Sequence, residues 1–423
     1  MLYLLKNNHA VLSNKDKYIN FPMEALQKTT IVNARRIQSV DLLRGIVMVI
    51  MAIDHVRVYS GVLPGGQNAA VFFTRWITNF CAPAFAFFAG TSAFLYLLKS
   101  GDKRDVVRFL VTRGLILVIL EMTVIRFFWT FNFDYANFVH TNVIWTLGWC
   151  MIILAGFVRL RPVTIGVTGL LIISFQQIFQ FVPTLFPASI QEPIANAWGF
   201  FYPSPMLKPG NSIIPGFALP NIWGISILYV IIPWVGVMMA GYGFGVVLLR
   251  ESEAIRKICL RIGIVAIVLY LTIATALLMA NSSAGPSAPF IFKLLGQQKY
   301  PPSQLFLLMT LGPIVALVPW AEKVRGWLGD AIKIIGRVPM FYYLLHLLLI
   351  HLSAFLVNLV VYGTIHQEWY NTAPLVGIPE DHRWSLPLLY LVWLVDVIIL
   401  YYACRWYARY KSSHPEQTWT KFV

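Results

Sequence analysis

The chain has 423 residues, of which 58% are apolar, 15% aromatic and only 12% charged, and its mean hydropathy is +0.68. A water-soluble protein of this length would carry far more charge, so the composition excludes a soluble enzyme or binding module and indicates a polytopic membrane protein. The formal net charge is +15. Basic loops that face anionic lipid account for such a charge, and a nucleic-acid partner is not needed.

Apolar segments long enough to cross a bilayer follow one another along almost the whole chain. We predict a single all-α bundle of ten membrane-spanning helices, at about 38–59, 74–98, 110–130, 141–158, 163–187, 222–248, 262–282, 303–319, 339–361 and 386–409. Of the 33 Lys and Arg residues, 25 fall on one side of this topology and seven on the other. The positive-inside rule then places both termini in the cytoplasm.

The predicted organisation is therefore that of a multi-pass protein of the cell inner (plasma) membrane. It comprises a cytoplasmic N-terminal arm (1–37), a transmembrane domain (38–409) and a cytoplasmic C-terminal tail (410–423). No metal-ligand spacing involves the four cysteines, so no metal is expected. The oligomeric state is left open, and a homo-oligomer is compatible with the sequence.

The first predicted helix, QSVDLLRGIVMVIMAIDHVRVY from Gln38 to Tyr59, keeps five ionisable residues. A charged group in hydrocarbon costs several kcal/mol unless it is paired or hydrated, so these residues predict a polar passage. At about 100° per residue, Asp41, Arg44 and His55 share a face, with Arg44 and His55 roughly 16 Å apart along the axis. This face carries a cation near one membrane surface and an imidazole near the other.

Two further helices carry polar candidates. Arg75 and Asn79 are four residues apart and share a face at the outer end of the second helix. His346 lies in the apolar run of the ninth helix. Interfacial anchoring and a hydrogen bond to a neighbouring helix are the structural alternatives for these residues. For Glu121 and Arg126, buried charges in the third helix, we favour a structural role in which they neutralise each other or neighbouring groups.

A buried polar stripe of this kind suits transmembrane group transfer, in which a donor enters from one face and an acceptor from the other. The imidazole of His55 can act as a general base on an acceptor hydroxyl or amine, or take an acyl group itself. Asp54 is the predicted orienter of that ring, although adjacent helical residues point about 100° apart, so Asp54 could instead contact another helix. Arg44, with Asp41 as its one-turn partner, suits the phosphates of an anionic donor near the cytoplasmic mouth.

The remaining candidates are assigned to the acceptor side. Arg75 and Asn79 are predicted to contact the acceptor or a developing oxyanion. His346 is a weaker candidate for lining the same cavity.

The motif RIQSVDLLRG in the first helix, followed by TRWITNFCAPAFAFFAGTSAF in the second, resembles bacterial members of the heparan-α-glucosaminide N-acetyltransferase catalytic-domain family, part of a wider superfamily of transmembrane acyltransferases. The segments FYYLLH and QKYPPS are similar to parts of related members. The resemblance is strongest over residues 35–100. It implies a helical bundle that takes an acetyl group from cytoplasmic acetyl-CoA and places it on a sugar at the other face.

Position by position, Asp41 and Arg44 match the family's polar pair, and Asn79 stands where the lysosomal members have Asp. The lysosomal members carry their proposed catalytic His in the loop that corresponds to 60–73, which here contains no His. His55, at the end of the preceding helix, stands where they have Asn. The resemblance therefore implies either that His55 has taken over the role or that this branch uses another acceptor chemistry.

The leading hypothesis is an integral membrane acetyltransferase that uses acetyl-CoA as donor and an outer-face sugar or envelope glycan as acceptor. The alternative is a proton-coupled transporter or flippase of an envelope precursor, in which the same charged residues form a relay. A non-catalytic scaffold or sensor is disfavoured by the number of intramembrane charges.

Overall fold

The structure is a computed structural model that describes residues 37–63, 68–205, 221–222, 225–280, 288–414 and 416–421. The predicted N-terminal arm lies outside the described residues except for its last position. Parts of the first and the longest predicted outer loops, 64–67 and 206–220, also lie outside them.

Within the described residues, α-helices dominate. They are α1 (Gln38–Tyr59), α2 (Ala69–Trp76), α3 (Cys81–Ser100), α4 (Lys103–Leu120), α5 (Arg126–Thr130), α6 (Val143–Phe157), α7 (Pro162–Phe175), α8 (Gln191–Trp198), α9 (Ile231–Phe244), α10 (Ser252–Ala280), α11 (Phe290–Leu295), α12 (Gln304–Ala321), α13 (Trp327–Arg337), α14 (Pro339–Tyr362) and α15 (Leu386–Ser413). A 3₁₀ turn (Ile77–Phe80) joins α2 to α3, and a π-helical turn (Glu121–Ile125) joins α4 to α5.

The predicted fold class, an all-α polytopic membrane protein, is confirmed. Seven helical stretches within the described chain are long and apolar enough to span a bilayer: Ala69–Ser100, Pro162–Leu185, Ile231–Leu249, Ser252–Ala280, Gln304–Ala321, Pro339–Tyr362 and Leu386–Ser413. Each of the ten predicted segments contains a helix. The number of spans and the cytoplasmic location of the termini remain predictions.

Helix α1 lies at the centre of the bundle, where it packs against α3, α12, α13, α14 and α15. Its contact with α13 is especially close, because a Cβ on Gly45 or on Gly336 would collide with the backbone of the opposite helix. Helix α13 occupies a stretch that the topology prediction counted as a cytoplasmic loop. It was missed because its apolar residues cover only one face, which hydropathy alone does not detect.

A small three-stranded sheet joins the loop after α5 to the segment before α9. Strand β1 (Val139–Thr141) pairs in parallel with β3 (Ile225–Ile227), which pairs antiparallel with β2 (Asn221–Ile222). In this register His140 lies opposite Ser226. Strands of two or three residues leave almost no periodic signal in a sequence, so this sheet was not predicted.

Candidate functional site

Helix α1 is one uninterrupted helix, so it holds Arg44 and His55 at opposite ends of the same rigid element. We call the region around Arg44 and Arg113 the arginine end. The region around Asp54, His55 and His346 is called the histidine end. Eleven residues at about 1.5 Å each put roughly 16 Å between them along the axis.

The arginine end contains a cavity of about 230 Å³, enclosed by α1, α3, α4, α6 and α14. Arg44 lines it and donates from Nη2 to the Phe88 carbonyl and the Ser92 hydroxyl, both at 2.7 Å. Arg113 lines the same cavity, with its guanidinium 5.7 Å from the centre of the Phe109 ring. Most of the remaining wall is apolar, so two guanidinium groups face a largely hydrophobic space.

Asp41, the predicted partner of Arg44, is buried at the edge of this region. Its Oδ2 lies 3.9 Å from Nε of Arg337, the last residue of α13. Asp41 is not among the described residues that line the cavity. Its carboxylate thus contributes to the junction between α1 and α13.

The histidine end is built on a direct contact between two imidazoles. Nδ1 of His55 lies 2.6 Å from Nε2 of His346, and the rings stack with their centres 4.8 Å apart. Nδ1 of His346 lies 3.1 Å from the Tyr342 carbonyl oxygen. A carbonyl oxygen can only accept, so Nδ1 of a neutral His346 carries the proton and its Nε2 accepts one from Nδ1 of His55. This chain of hydrogen bonds leaves the lone pair of His55 on Nε2.

Aromatic rings surround this pair. The edge of Trp129 lies against His55 with ring centres 4.9 Å apart, and Tyr343 lies 6.4 Å from His55 and 5.1 Å from His346. His346 is completely buried, whereas His55 is only half-buried. His55 is therefore the member of the pair that other molecules can reach.

The carboxylate of Asp54 does not hold the ring of His55. Its Oδ1 accepts from Nε of Arg57 at 3.0 Å, and Nη1 of Arg57 donates to the Val62 carbonyl at 2.8 Å. Asp54 thus pairs within its own helix, and not with another helix as the second possibility from the sequence held. His346 contacts the ring of His55 where the sequence predicts Asp54 as the orienter.

A second cation, Lys299, belongs to the histidine end. It lies in the loop between α11 and α12, with Nζ 5.3 Å from the centre of the Tyr300 ring. Burial opposes its charged form, but Tyr300 and Asp54 raise the pKa of Lys299 above its usual value. Its interaction with Asp54 assigns Lys299 to the histidine end.

Arg75 and Asn79 lie in α2 and the 3₁₀ turn that follows it. Both are half-buried. No hydrogen bond or ion pair found among the described residues joins either side chain to His55 or Asp54. The structure thus leaves these two candidates outside the contacts of the histidine end.

The buried charges Glu121 and Arg126 are satisfied by the backbone and do not pair with each other. Glu121 accepts from the backbone N–H groups of Asn142 and Trp145, both at 3.3 Å, at the beginning of α6. Arg126 donates to three backbone carbonyls in the loop after α5. These backbone hydrogen bonds fit a structural role for both residues, although neither residue neutralises the charge of the other.

Four residues of the site were missed or given another role by sequence reasoning. Arg113 and Lys299 enter the sequence analysis only through the distribution of Lys and Arg across the membrane, and Trp129 and Tyr343 have no pattern that distinguishes them. The His55–His346 contact joins residues 291 positions apart. The sequence signals only that polar residues recur on α1 and α14, and no local pattern tells which of them meet.

Fold and site together define a polytopic α-helical membrane protein with a paired-histidine site and an arginine-lined cavity inside its bundle. The family model described as heparan-alpha-glucosaminide N-acetyltransferase, catalytic, matches residues 36–279, which is more than half of the chain. The chain belongs to this family, and the predicted resemblance is confirmed at that level. The matched residues include Arg44 and His55, while His346 lies beyond them. A comparison with curated proteins gives no significant match.

Proposed function

We propose that the protein transfers an acetyl group from acetyl-CoA, bound at the arginine end, to a sugar or glycan that reaches the histidine end from the opposite face of the membrane. The observation that carries this proposal is the His55–His346 contact. Both imidazoles lie against the ring of Tyr343, a residue that lines the cavity of the arginine end. The family's acetyltransferase activity supports it. We further propose that the arginine end faces the cytoplasm of the inner membrane, as the distribution of Lys and Arg predicts.

The arginine end suits the donor. Guanidinium groups form strong, charge-assisted hydrogen bonds with phosphate oxygens, and Arg44 and Arg113 provide two of them at one cavity. The apolar wall suits a pantetheine arm, whose methylene and amide groups bind in narrow hydrophobic clefts. Bound in this way, the thioester would point along the cavity toward Tyr343. Asp41 would stabilise the mouth of the donor cavity through its ion pair with Arg337.

The histidine end suits the chemistry. Nε2 of His55 takes the proton from the acceptor hydroxyl or amine as that atom attacks the thioester carbonyl. The new C–O or C–N bond forms, the C–S bond breaks, and the proton passes from His55 to the leaving thiolate of CoA. His346 fixes the tautomer of His55 and takes the orienting role that a carboxylate has in other acyl transferases.

The charged and polar residues around the His55–His346 pair are assigned to the transition state and to the acceptor. Asp54 and Arg57 form an ion pair, and Lys299 adds a further positive charge that interacts with Asp54. Lys299 can therefore stabilise negative charge that develops on the thioester oxygen. Arg75 and Asn79 are proposed as more distant contacts of the acceptor.

A turnover assay tests the proposal. The protein is purified in lipid nanodiscs and incubated with acetyl-CoA labelled in the acetyl group and methyl α-glucosaminide as the first acceptor. We expect labelled N-acetyl product and one free CoA thiol per product. No acyl product from folded protein with amino-sugar or neutral-sugar acceptors, together with substrate-dependent proton flux in liposomes, would instead support the transporter hypothesis.

A further inference from the structure

Tyr343 belongs to both halves of the site. It lies on α14, three residues before His346, and it is almost fully buried. It lines the cavity that contains Arg44 and Arg113, and its ring lies in an edge-to-face arrangement with both imidazoles. Neither His55 nor His346 lines that cavity among the described residues. Tyr343 thus lies between the cavity proposed for the donor and His55, the proposed base.

The lining residues on α1 and α14 show where the cavity stops. On α1 the lining ends at Met48, seven residues before His55, which corresponds to about 10 Å along the axis. On α14 it ends at Tyr343, one turn before His346. The ring of Tyr343 bridges this gap, with its centre 6.4 Å from that of His55 in an edge-to-face arrangement. The ring of Tyr343 therefore limits the room beyond this end of the cavity.

We infer that Tyr343 sets the length of the acyl chain that the protein accepts, by closing the deep end of the donor cavity in front of His55. This inference rests on the proposed function. An acetyl group has one methyl beyond its carbonyl, whereas each additional methylene would have to displace the buried phenol ring. Displacing packed atoms costs free energy, because protein interiors are close-packed and contain few voids into which the ring could move.

The same ring also limits the access of water to the thioester from the acceptor side. The transfer itself is the one described above: the C–S bond of the thioester breaks, the acceptor oxygen or nitrogen bonds to the acyl carbon, and the acceptor proton ends on the CoA sulfur. If the ring is removed, water can take the place of the acceptor, and the products are then a free carboxylic acid and CoA thiol.

Substitution at Tyr343 tests the inference with acyl-CoA donors of increasing length. Acetyl-CoA, butyryl-CoA and hexanoyl-CoA are compared as substrates of wild type, Tyr343→Ala and Tyr343→Phe. For Tyr343→Ala we expect the ratio of kcat/KM for hexanoyl-CoA to that for acetyl-CoA to rise at least about tenfold, the discrimination that a few methylenes provide in an apolar pocket. Tyr343→Phe keeps the ring and should keep the wild-type ratio.

Phe109→Ala is the matched control, because it removes an aromatic ring from the arginine end of the same cavity. It should leave the chain-length ratio unchanged. Competition of the same acyl-CoAs for binding provides a second measurement that does not require turnover by the variant. An unchanged preference for acetyl-CoA in Tyr343→Ala, in turnover and in binding, would overturn the inference while leaving the proposed function intact. Wild-type protein that turns over no acyl-CoA would overturn both.

Discussion

The two ends of α1 use charged and polar residues in opposite ways. At the arginine end, Arg44 and Arg113 line a cavity whose walls are mostly apolar. At the histidine end, the polar groups contact one another directly: His55 with His346, and Asp54 with Arg57. An open cavity suits binding of a ligand, and a compact network suits a fixed geometry for chemistry. The comparison therefore predicts that substitutions at the two ends have separable effects.

The largest effect is expected at the histidine end. His55→Ala removes the proposed base and should lower the rate of acetyl transfer at least about 100-fold, the usual contribution of general-base catalysis. Because Arg44 and the cavity stay intact, acetyl-CoA should bind to this variant as it binds to wild type. Turnover in nanodiscs and binding calorimetry measure the two quantities on the same preparation.

His351→Gln is the matched control for that variant. His351 is a fully buried histidine of α14 whose Nδ1 lies 2.9 Å from the Phe128 carbonyl oxygen, and it does not line the cavity. This substitution should lower stability without lowering the rate per folded molecule. Wild-type turnover by His55→Ala would remove His55 from the mechanism.

The next largest effect is expected at the arginine end. Arg44→Ala removes a charged hydrogen-bond donor from the cavity and should weaken acetyl-CoA binding about 10- to 100-fold. The contacts of His55 and His346 are not altered by this substitution, so kcat at saturating donor should change much less. Arg104→Ala removes an exposed arginine of α4 outside the cavity and serves as the charge-matched control. Equal loss of binding in both variants would indicate a general charge effect.

A smaller effect is expected for His346, which we assign as a positioning residue. His346→Leu removes the acceptor for Nδ1–H of His55 and should lower kcat about tenfold, with the KM for acetyl-CoA unchanged. His346→Gln retains a hydrogen-bond acceptor and should restore part of the rate. If the two variants are equally impaired and equally unstable, His346 contributes packing alone.

The smallest effect on turnover is expected for Glu121, which lies outside both ends of the proposed site. Glu121→Ala leaves two buried N–H groups at the beginning of α6 without their acceptor, which should destabilise the fold by about 1–3 kcal/mol. Thermal unfolding should show a lower Tm, while the rate per folded molecule stays within about twofold of wild type. Glu121→Gln keeps one carbonyl oxygen and should lose less stability. A much lower rate at unchanged Tm would instead make Glu121 part of the chemistry.

The helices and the family could be predicted from the sequence because both depend on local patterns. Long apolar runs define the helices, and the spacing of Asp41 and Arg44 within one turn carries much of the family motif. Helix α13 also had a local signal, in apolar residues on one face, but a search for membrane-spanning lengths does not find it.

The contacts of the site were harder to predict because they join distant parts of the chain. The pairing of Asp54 with Arg57 follows the (i, i+3) rule and was available from the sequence. The contact of His55 with His346 was not, because many arrangements of α1 and α14 are compatible with the same hydropathy. The cavity depends in addition on Arg113 in the middle of α4, whose place beside Arg44 is fixed only by tertiary packing.

The most direct test of the division between the two ends is the binding of acetyl-CoA to wild type, His55→Ala and Arg44→Ala, measured by calorimetry in the same nanodiscs. We predict saturable binding that is equal in wild type and His55→Ala and at least about tenfold weaker in Arg44→Ala. Absence of saturable binding to folded wild-type protein, or equal weakening by the two substitutions, would contradict a donor site at the arginine end.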